Sequence, residues 1–396
     1  MRLGDVCTIY TGTGFPVRYQ GNSQGNYPFY KVGDIAKNVT AGKVYLELCD
    51  NYVETDVVKK IKGSILPART VVFAKIGEAV KLNRRAITSC ECLIDNNAMG
   101  IAPNEAVLTL DYFYHYMCQL RLETLAEATT VPSVKKSIVE NLDIPVPSIV
   151  EQQVISKVLN KVSELIALRK KQLAKLDQLV KSRFIELFGD PVDNPKDYLV
   201  KSLQELIDMG YITYHLDGNH GGDYPRSEEF VDSGVPYIGA NSIVNGKIDF
   251  SMAKFLTAER AGKLRKGIAQ NDDVLFAHNA TVGPTVVLKT TEPKVILSTS
   301  LTAYRCDKSR LLPNYLKAYM QSDGFVRQYS GEMKQTTRNQ VPITAQKKYL
   351  FLVPPIVEQK QFAVFVEQTN KSKLAIQQSL DKLELLKKSL MQEYFG

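Results

Sequence analysis

The residue types able to do bond-making chemistry are sparse in this chain and poorly spaced for it. His115, His215, His220 and His278 are scattered, and none stands in the Ser-His-Asp or His-Glu-x-x-His arrangement that nucleophilic or zinc-dependent hydrolysis needs. Glu332-Met333-Lys334 has the form of a nuclease carboxylate–lysine tail, but no paired aspartate motif precedes it. Gly12-Thr13-Gly14 is not followed by the third glycine of a dinucleotide loop, and no G-x-x-x-x-G-K-[ST] phosphate loop occurs. There is no Asn-Pro-Pro-Tyr-like tetrapeptide; Asp193-Asn194-Pro195-Lys196 reads as a linker turn. Cys7, Cys49, Cys90, Cys92, Cys118 and Cys306 form no C-x-x-C pair, so reduced thiols are expected rather than a disulfide framework or a metal site. What remains is the chemistry of binding, carried by basic and amide side chains on loops.

The elements that must position those loops announce themselves as a repeat. Ile144–Gly189 returns 207 positions later as Phe351–Gly396, without a gap and with 15 of 46 positions identical. The front of each copy shares Val146/Val353, Pro147/Pro354, Ile149/Ile356, Val150/Val357, Glu151/Glu358 and Gln152/Gln359. The back shares Leu173/Leu380, Leu176/Leu383, Leu179/Leu386, Phe188/Phe395 and Gly189/Gly396 among others. Proline suits the first turn of a helix, no breaker follows for about 40 residues, and glycine closes the run. Ile155, Val158, Val162, Leu165, Leu173, Leu176, Val180, Phe184 and Leu187 recur near multiples of three and four between charged residues. The spacing predicts two long amphipathic helices that pack on each other.

Length and charge bound the rest. The 396 residues are 44% hydrophobic and 23% charged, with a net charge of +8. Residues 1–147 come to +1, 148–189 to +4, 190–354 to +2 and 355–396 to +1. Any polyanion is therefore held by local patches rather than by a global field. No run approaches 18 apolar residues and the start Met1-Arg2-Leu3-Gly4-Asp5 lacks a signal-peptide core, so a cytoplasmic chain that does not meet a membrane is expected.

Before each repeat lies a globular region. In residues 1–145, Leu3–Tyr10 reads as a short helix or strand, Tyr27–Ile35 as a strand ending in a turn, Thr70–Ile76 as a buried strand and Asp111–Leu125 as a helix. Residues 190–352 echo this: Val235-Pro236-Tyr237-Ile238 answers Tyr27-Pro28-Phe29-Tyr30, and Val274-Leu275-Phe276-Ala277 answers Val71-Val72-Phe73-Ala74. Thr336-Thr337 answers Thr129-Thr130, whereas the loops His215–Arg226 and His278–Pro284 are unlike Gly12–Asn26 and Lys75–Arg85. One scaffold with dissimilar loops is what two recognition modules for different targets require.

Two variable regions, each followed by Val-Pro-x-Ile-Val-Glu-Gln and a long helix ending in Phe-Gly, resemble the specificity (S) subunit of type I restriction–modification systems over essentially the whole chain. The resemblance implies an α+β protein with two target-recognition domains of mixed α/β structure, residues 1–145 and 190–352. They would be separated by long helices, residues 146–189 and 353–396, packed as an antiparallel coiled coil in a pseudo-two-fold tandem repeat. It implies a non-catalytic subunit that reads a bipartite, asymmetric site on double-stranded DNA, one domain per half-site, with a spacer set by helix length. It also implies docking of two methyltransferase (M) subunits and of restriction (R) subunits. S-adenosylmethionine, ATP and Mg are expected on those partners and no cofactor in this chain. A coiled-coil scaffold with no nucleic-acid role, a modification enzyme in its own right and the specificity part of a modification-only DNA methyltransferase system are the alternatives.

On this reading the candidate DNA contacts are Arg18, Lys75, Lys81, Arg84, Arg85, Lys135 and Lys136 in the first region. In the second they are Tyr214, His278, Asn279, Arg338, Asn339 and Gln340. Arg, Asn and Gln can bond base edges bidentately, while Lys chiefly meets phosphate. Glu151, Gln152, Glu358 and Gln359, repeated so faithfully, are expected to face protein partners.

Overall fold

The computed structural model describes residues 1–126, 131–333 and 339–396. They form two compact units: Met1–Lys171 with Ile376–Gly396, and Gln172–Ala375. Each unit thus comprises one globular region and a stretch of both long helices, and each mixes helix and sheet as expected.

In the first unit the short helix Leu3–Val6 leads into strand Cys7–Thr11 of a five-stranded sheet. The strand order is Cys7–Thr11, Ala98–Pro103, Val71–Ala74, Arg85–Thr88, Tyr45–Leu46. The apolar run Val71–Ala74 is central and wholly buried, as its β-branched composition predicts. A three-stranded sheet places Tyr27–Tyr30 between Tyr52–Val53 and Leu93–Ile94. Here the structure departs from expectation: the strand stops at Tyr30 and Val32–Thr40 is a helix. The Asp34 carboxylate accepts the Lys31 N–H at 2.8 Å and closes the first turn. The buried Asn38 then holds the chain beyond, donating to the Leu48 carbonyl at 2.7 Å and accepting from the Glu47 and Leu48 amides.

The helix expected over Asp111–Leu125 is two helices, Leu110–Gln119 and Leu122–Leu125. The link is extended at Leu120, and the Leu122 N–H between them is held by Asn83 Oδ1 at 2.9 Å.

The second unit repeats the plan. Strands Ile212–Asp217, Leu301–Cys306, Val274–Asn279 and Thr281–Val287 form an antiparallel sheet in that order. The smaller sheet grows to five strands, with Val235–Ile238 between Lys254–Leu256 and Val295–Leu297. Helix Pro313–Met320 stands where Leu110–Gln119 stands in the first unit.

The two long helices are Ile149–Phe188 and Ile356–Phe395, 40 residues each. Ser148 and Glu151 start the first as a reciprocal capping box, with Ser148 N–H to Glu151 Oε2 at 2.9 Å. Gly189 ends it in the left-handed conformation (φ +78°), its N–H bonding the Ile185 carbonyl at 2.7 Å. Inside each unit the helices run antiparallel. In the first, Lys170 pairs with Glu384 at 2.9 Å while Ile155 and Phe395 pack into one core. In the second, Asp177 pairs with Lys373 and Phe184 packs on Phe362 with ring centroids 5.7 Å apart.

The repeated Phe-Gly endings have a packing reason. Phe188 lies on Tyr315 (4.8 Å between centroids), and Phe395 on Tyr112 (5.0 Å). Tyr112 and Tyr315 occupy the same place in the two globular regions, so each long helix ends by inserting a phenylalanine into a tyrosine-bearing helix.

Candidate nucleic-acid interface

Strand register decides which loops meet. In the first unit Thr11 pairs with Met99, Ala74 with Ala98 and Phe73 with Arg85, so these residues share one end of the main sheet. The loops that leave at that end are 12–26, 75–84 and 95–97. The segment after the Thr-rich stretch joins them: Gly77 N–H bonds the Pro132 carbonyl and Val134 N–H the Lys75 carbonyl, both at 2.8 Å. The second unit does the same. Asp217 pairs with Thr302 and Ala277 with Leu301, and Val341 N–H bonds the His278 carbonyl at 2.8 Å. The other end of each sheet belongs to the long helices, through Leu3, Ile144 and the turn at 104–109 in the first unit.

Several expected contacts gather at the loop end. Arg18 is exposed, its guanidinium 4.9 Å from the centroid of Tyr19. Lys75 and Arg84 are half-buried there, Lys81 is exposed beside Glu78 (2.8 Å), and Lys135 and Lys136 follow Val134 on the surface. In the second unit Asn279 bridges to Gln340, and the Ala280 N–H bonds the Asn339 carbonyl at 2.9 Å, which brings those three amides together. Arg338, Thr129-Thr130, Thr336-Thr337 and the lysine of Glu332-Met333-Lys334 lie outside the described residues.

Other expectations fail for physical reasons. Arg85 is 3% exposed, its guanidinium bonding the Asn83 and Leu120 carbonyls, so it splints a turn to a helix end and presents nothing to a ligand. Burial lowers its pKa. His278 is 1% exposed with Nδ1 at 3.0 Å from the Val341 carbonyl. Tyr214 sits mid-strand; its hydroxyl accepts the Ile268 N–H at 2.9 Å and its ring carries Arg305.

The partner-facing assignment of Gln152 and Gln359 is corrected as well. Gln152 and Gln359 are fully buried. Gln152 Oε1 accepts the Thr109 N–H at 2.8 Å while Nε2 donates to the Val107 and Pro147 carbonyls at 2.9 and 3.0 Å. Gln359 does the same with the Leu312 N–H (2.8 Å) and the Arg310 and Pro354 carbonyls (3.1 and 2.9 Å). Glu151 is a helix cap, and Glu358 accepts from the Tyr198 hydroxyl and, at 3.5 Å, the Lys196 ammonium.

Residues not singled out from sequence also reach the loop end. Lys62 and Gly63 adjoin it through Ser64, whose N–H meets Thr13 Oγ1 at 3.4 Å. Arg265 and Lys266 do so through the buried Asn219, which donates to the Lys266 carbonyl at 2.7 Å. A signal was available: Lys-Gly precedes the central strand in both halves, as Lys62-Gly63 and Lys266-Gly267. Gly267 has φ +62°, and a Cβ there would come within 2.7 Å of the Gly218 Cα.

Under the loop end of the second unit lies a buried polar group. The Gln346 Oε1 accepts from Tyr304 (2.6 Å) and faces His215 Nε2 at 3.2 Å, while Gln346 Nε2 donates to Thr302 and to the Val341 carbonyl. Burial depresses His215 to about 4 and His278 below the ordinary histidine value. A base whose folded pKa is depressed stabilises the fold fully above its unfolded value near 6.5 and loses that contribution as pH falls toward the folded value. Thermal unfolding of the second unit is therefore expected to weaken between pH 6.5 and 4, by on the order of 3 kcal/mol for His215. In His215→Gln that slope shrinks; an unchanged slope refutes the assignment.

Among the described residues, no group of three or more His, Cys, Asp or Glu is arranged to hold a metal ion, and no helix is long and apolar enough to cross a membrane.

Two units of one topology, each collecting basic and amide side chains on loops at one sheet end and each tied to helical repeats, define a tandem nucleic-acid reader. The chain belongs to the type I restriction–modification DNA specificity domain family, whose description matches residues 1–178 and again 195–385. Its role is DNA sequence specificity, and it is not a catalytic component. The type I restriction enzyme MjaVIII specificity subunit of Methanocaldococcus jannaschii is 23% identical over 300 residues, 71% of this chain and 68% of that protein. The MjaIX specificity subunit of the same organism is 23% identical over 264 residues, 62% of this chain and 58%, less than two thirds, of that protein. In fold the chain is similar to the S subunit of a type I restriction–modification system from M. genitalium, with TM-score 0.57, 14% identity, and coverage of 100% of this chain and 95% of that one. A structure described for complex assembly and conformational transition of the type I R-M system gives TM-score 0.55 at 18% identity, covering 100% and 96%.

Proposed function

We propose that each unit reads one half of a bipartite, asymmetric site on double-stranded DNA, with residues 1–145 and 190–352 as the two recognition domains. Residues 146–189 and 353–396 supply the helical frame on which two M subunits dock, with R subunits joining the larger assembly in the cytoplasm. The observation that carries this reading is the equivalence of the two sheet ends: the same strands and the same Val134/Val341 anchor carry loops that differ, with Lys81 and Arg84 in the first unit against Asn279, Asn339 and Gln340 in the second, and Arg18 against a Gly-rich turn. A shared frame with unlike tips reads unlike half-sites.

Methylation-sensitive sequencing of DNA from cells producing this chain with its methyltransferase partner tests the proposal, and a modified motif of two unlike halves about an unread spacer is expected. Exchanging residues 190–352 for the matching stretch of a relative with a different motif should alter one half completely and leave the other unchanged. A chimera that alters both halves ends the claim that the units read independently.

A further inference from the structure

Val17 is the most exposed large apolar side chain among the described residues, at 83%. It is displayed, not left loose. Val17–Tyr19 form a 3-10 turn in which Tyr19 N–H bonds the Pro16 carbonyl and Gln20 N–H the Val17 carbonyl, both at 3.0 Å. On one shoulder Phe15 stacks on the buried Phe29, ring centroids 3.7 Å apart and nearly parallel. On the other, Gln20 donates to the Phe15 carbonyl (2.8 Å) and accepts from Lys31 (3.1 Å), and Gly21 N–H bonds the buried Asn51 at 2.9 Å. A loop that only crossed solvent would need neither anchor. The tip is also cationic: Arg18 lies over Tyr19, and the Lys60 ammonium, paired with Asp56 at 2.7 Å, stands near both.

A rigid apolar tip amid cations suits a polyanion that offers a methyl group. In the DNA major groove thymine does so, through its C5-methyl, and apolar contact is how that methyl is read. We propose that Val17 is a specificity-determining residue of the first unit, packing against the C5-methyl of one thymine in its half-site while Arg18 meets the adjoining base or phosphate. This rests on the reading of the unit as a half-site reader. The 3-10 turn in the matching loop of the second unit is Gly221–Asp223, which carries no aliphatic side chain; the exposed Tyr224 beside it offers an aromatic ring instead, so the aliphatic contact belongs to one half-site only.

The full chain, presented with a pool of random duplexes, selects its site; each thymine of that site is then replaced in turn by deoxyuridine, which removes the methyl and nothing else. For the wild-type chain one replacement, in one half-site, is expected to weaken binding about fourfold, the worth of one buried methyl. Val17→Ala and Val17→Ser should be indifferent to that replacement, with unchanged thermal unfolding because the side chain stands in solvent. A selected site whose deoxyuridine profile is flat, or identical in wild type and Val17→Ala, overturns this inference and leaves the half-site reading standing. A chain that selects no sequence overturns both.

Discussion

Phe188→Ala is expected to cost the second unit about 3–5 kcal/mol, the largest loss available from a single truncation at the end of a long helix. The ring is 1% exposed and lies 5.0, 4.8 and 5.6 Å from the centroids of Phe184, Tyr315 and Phe362. Removing it leaves a hole between three rings that belong to three different helices, and none can close it without breaking its other contacts. The equivalent Phe395→Ala should cost the first unit less, because Phe395 is half-buried and, among the described residues, meets only the rings of Tyr112 and Tyr116, at 5.0 and 5.9 Å. Hydrogen exchange resolved by unit, alongside thermal unfolding, separates the two. Equal losses in both units would refute the argument that ring burial sets the difference.

Gln359→Leu should cost about 3 kcal/mol or more in the second unit, and Gln152→Leu a similar amount in the first. Each change strips three main-chain groups of their partner in a buried place, at about 1–3 kcal/mol apiece. The Leu312 and Thr109 amides are expected to lose protection from exchange in the respective variants. A loss below about 1 kcal/mol would mean that water enters and replaces the amide.

The sequence foretold the helices closely, because proline, an unbroken apolar stripe and a closing glycine are local signals. The central strands Val71–Ala74 and Val274–Asn279 were legible for the same reason. Val32–Thr40 was not: the helix depends on Asp34 and on Asn38 reaching Leu48, ten residues away, and distant partners leave no mark on a short window. The site was half legible. Arg84 and Arg85 are neighbours of one type, yet only strand pairing decides that Arg85 turns inward. Gln152 misled for a different reason. An exact repeat of a polar residue suggests a shared external partner, whereas the partner is main chain of the residue's own unit. Val17 stood in a stretch that reads as polar loop, and only the stacked Phe15 beneath it shows that the tip is built.

The hydrogen bonds made by the two glutamine side chains all go to main chain. Gln152 holds the backbone of Val107 and Thr109, and Gln359 that of Arg310 and Leu312, with the same donor and acceptors in each case. A fastening of this kind is blind to the identity of the residues it clasps. It tolerates any domain whose chain passes the helix start in the same conformation, and it asks for no matching substitution on either side of the joint. A lineage could therefore trade one reader for another by recombination and keep a sound molecule at the first attempt, so that new target sequences arise in single steps rather than through a series of weakened intermediates.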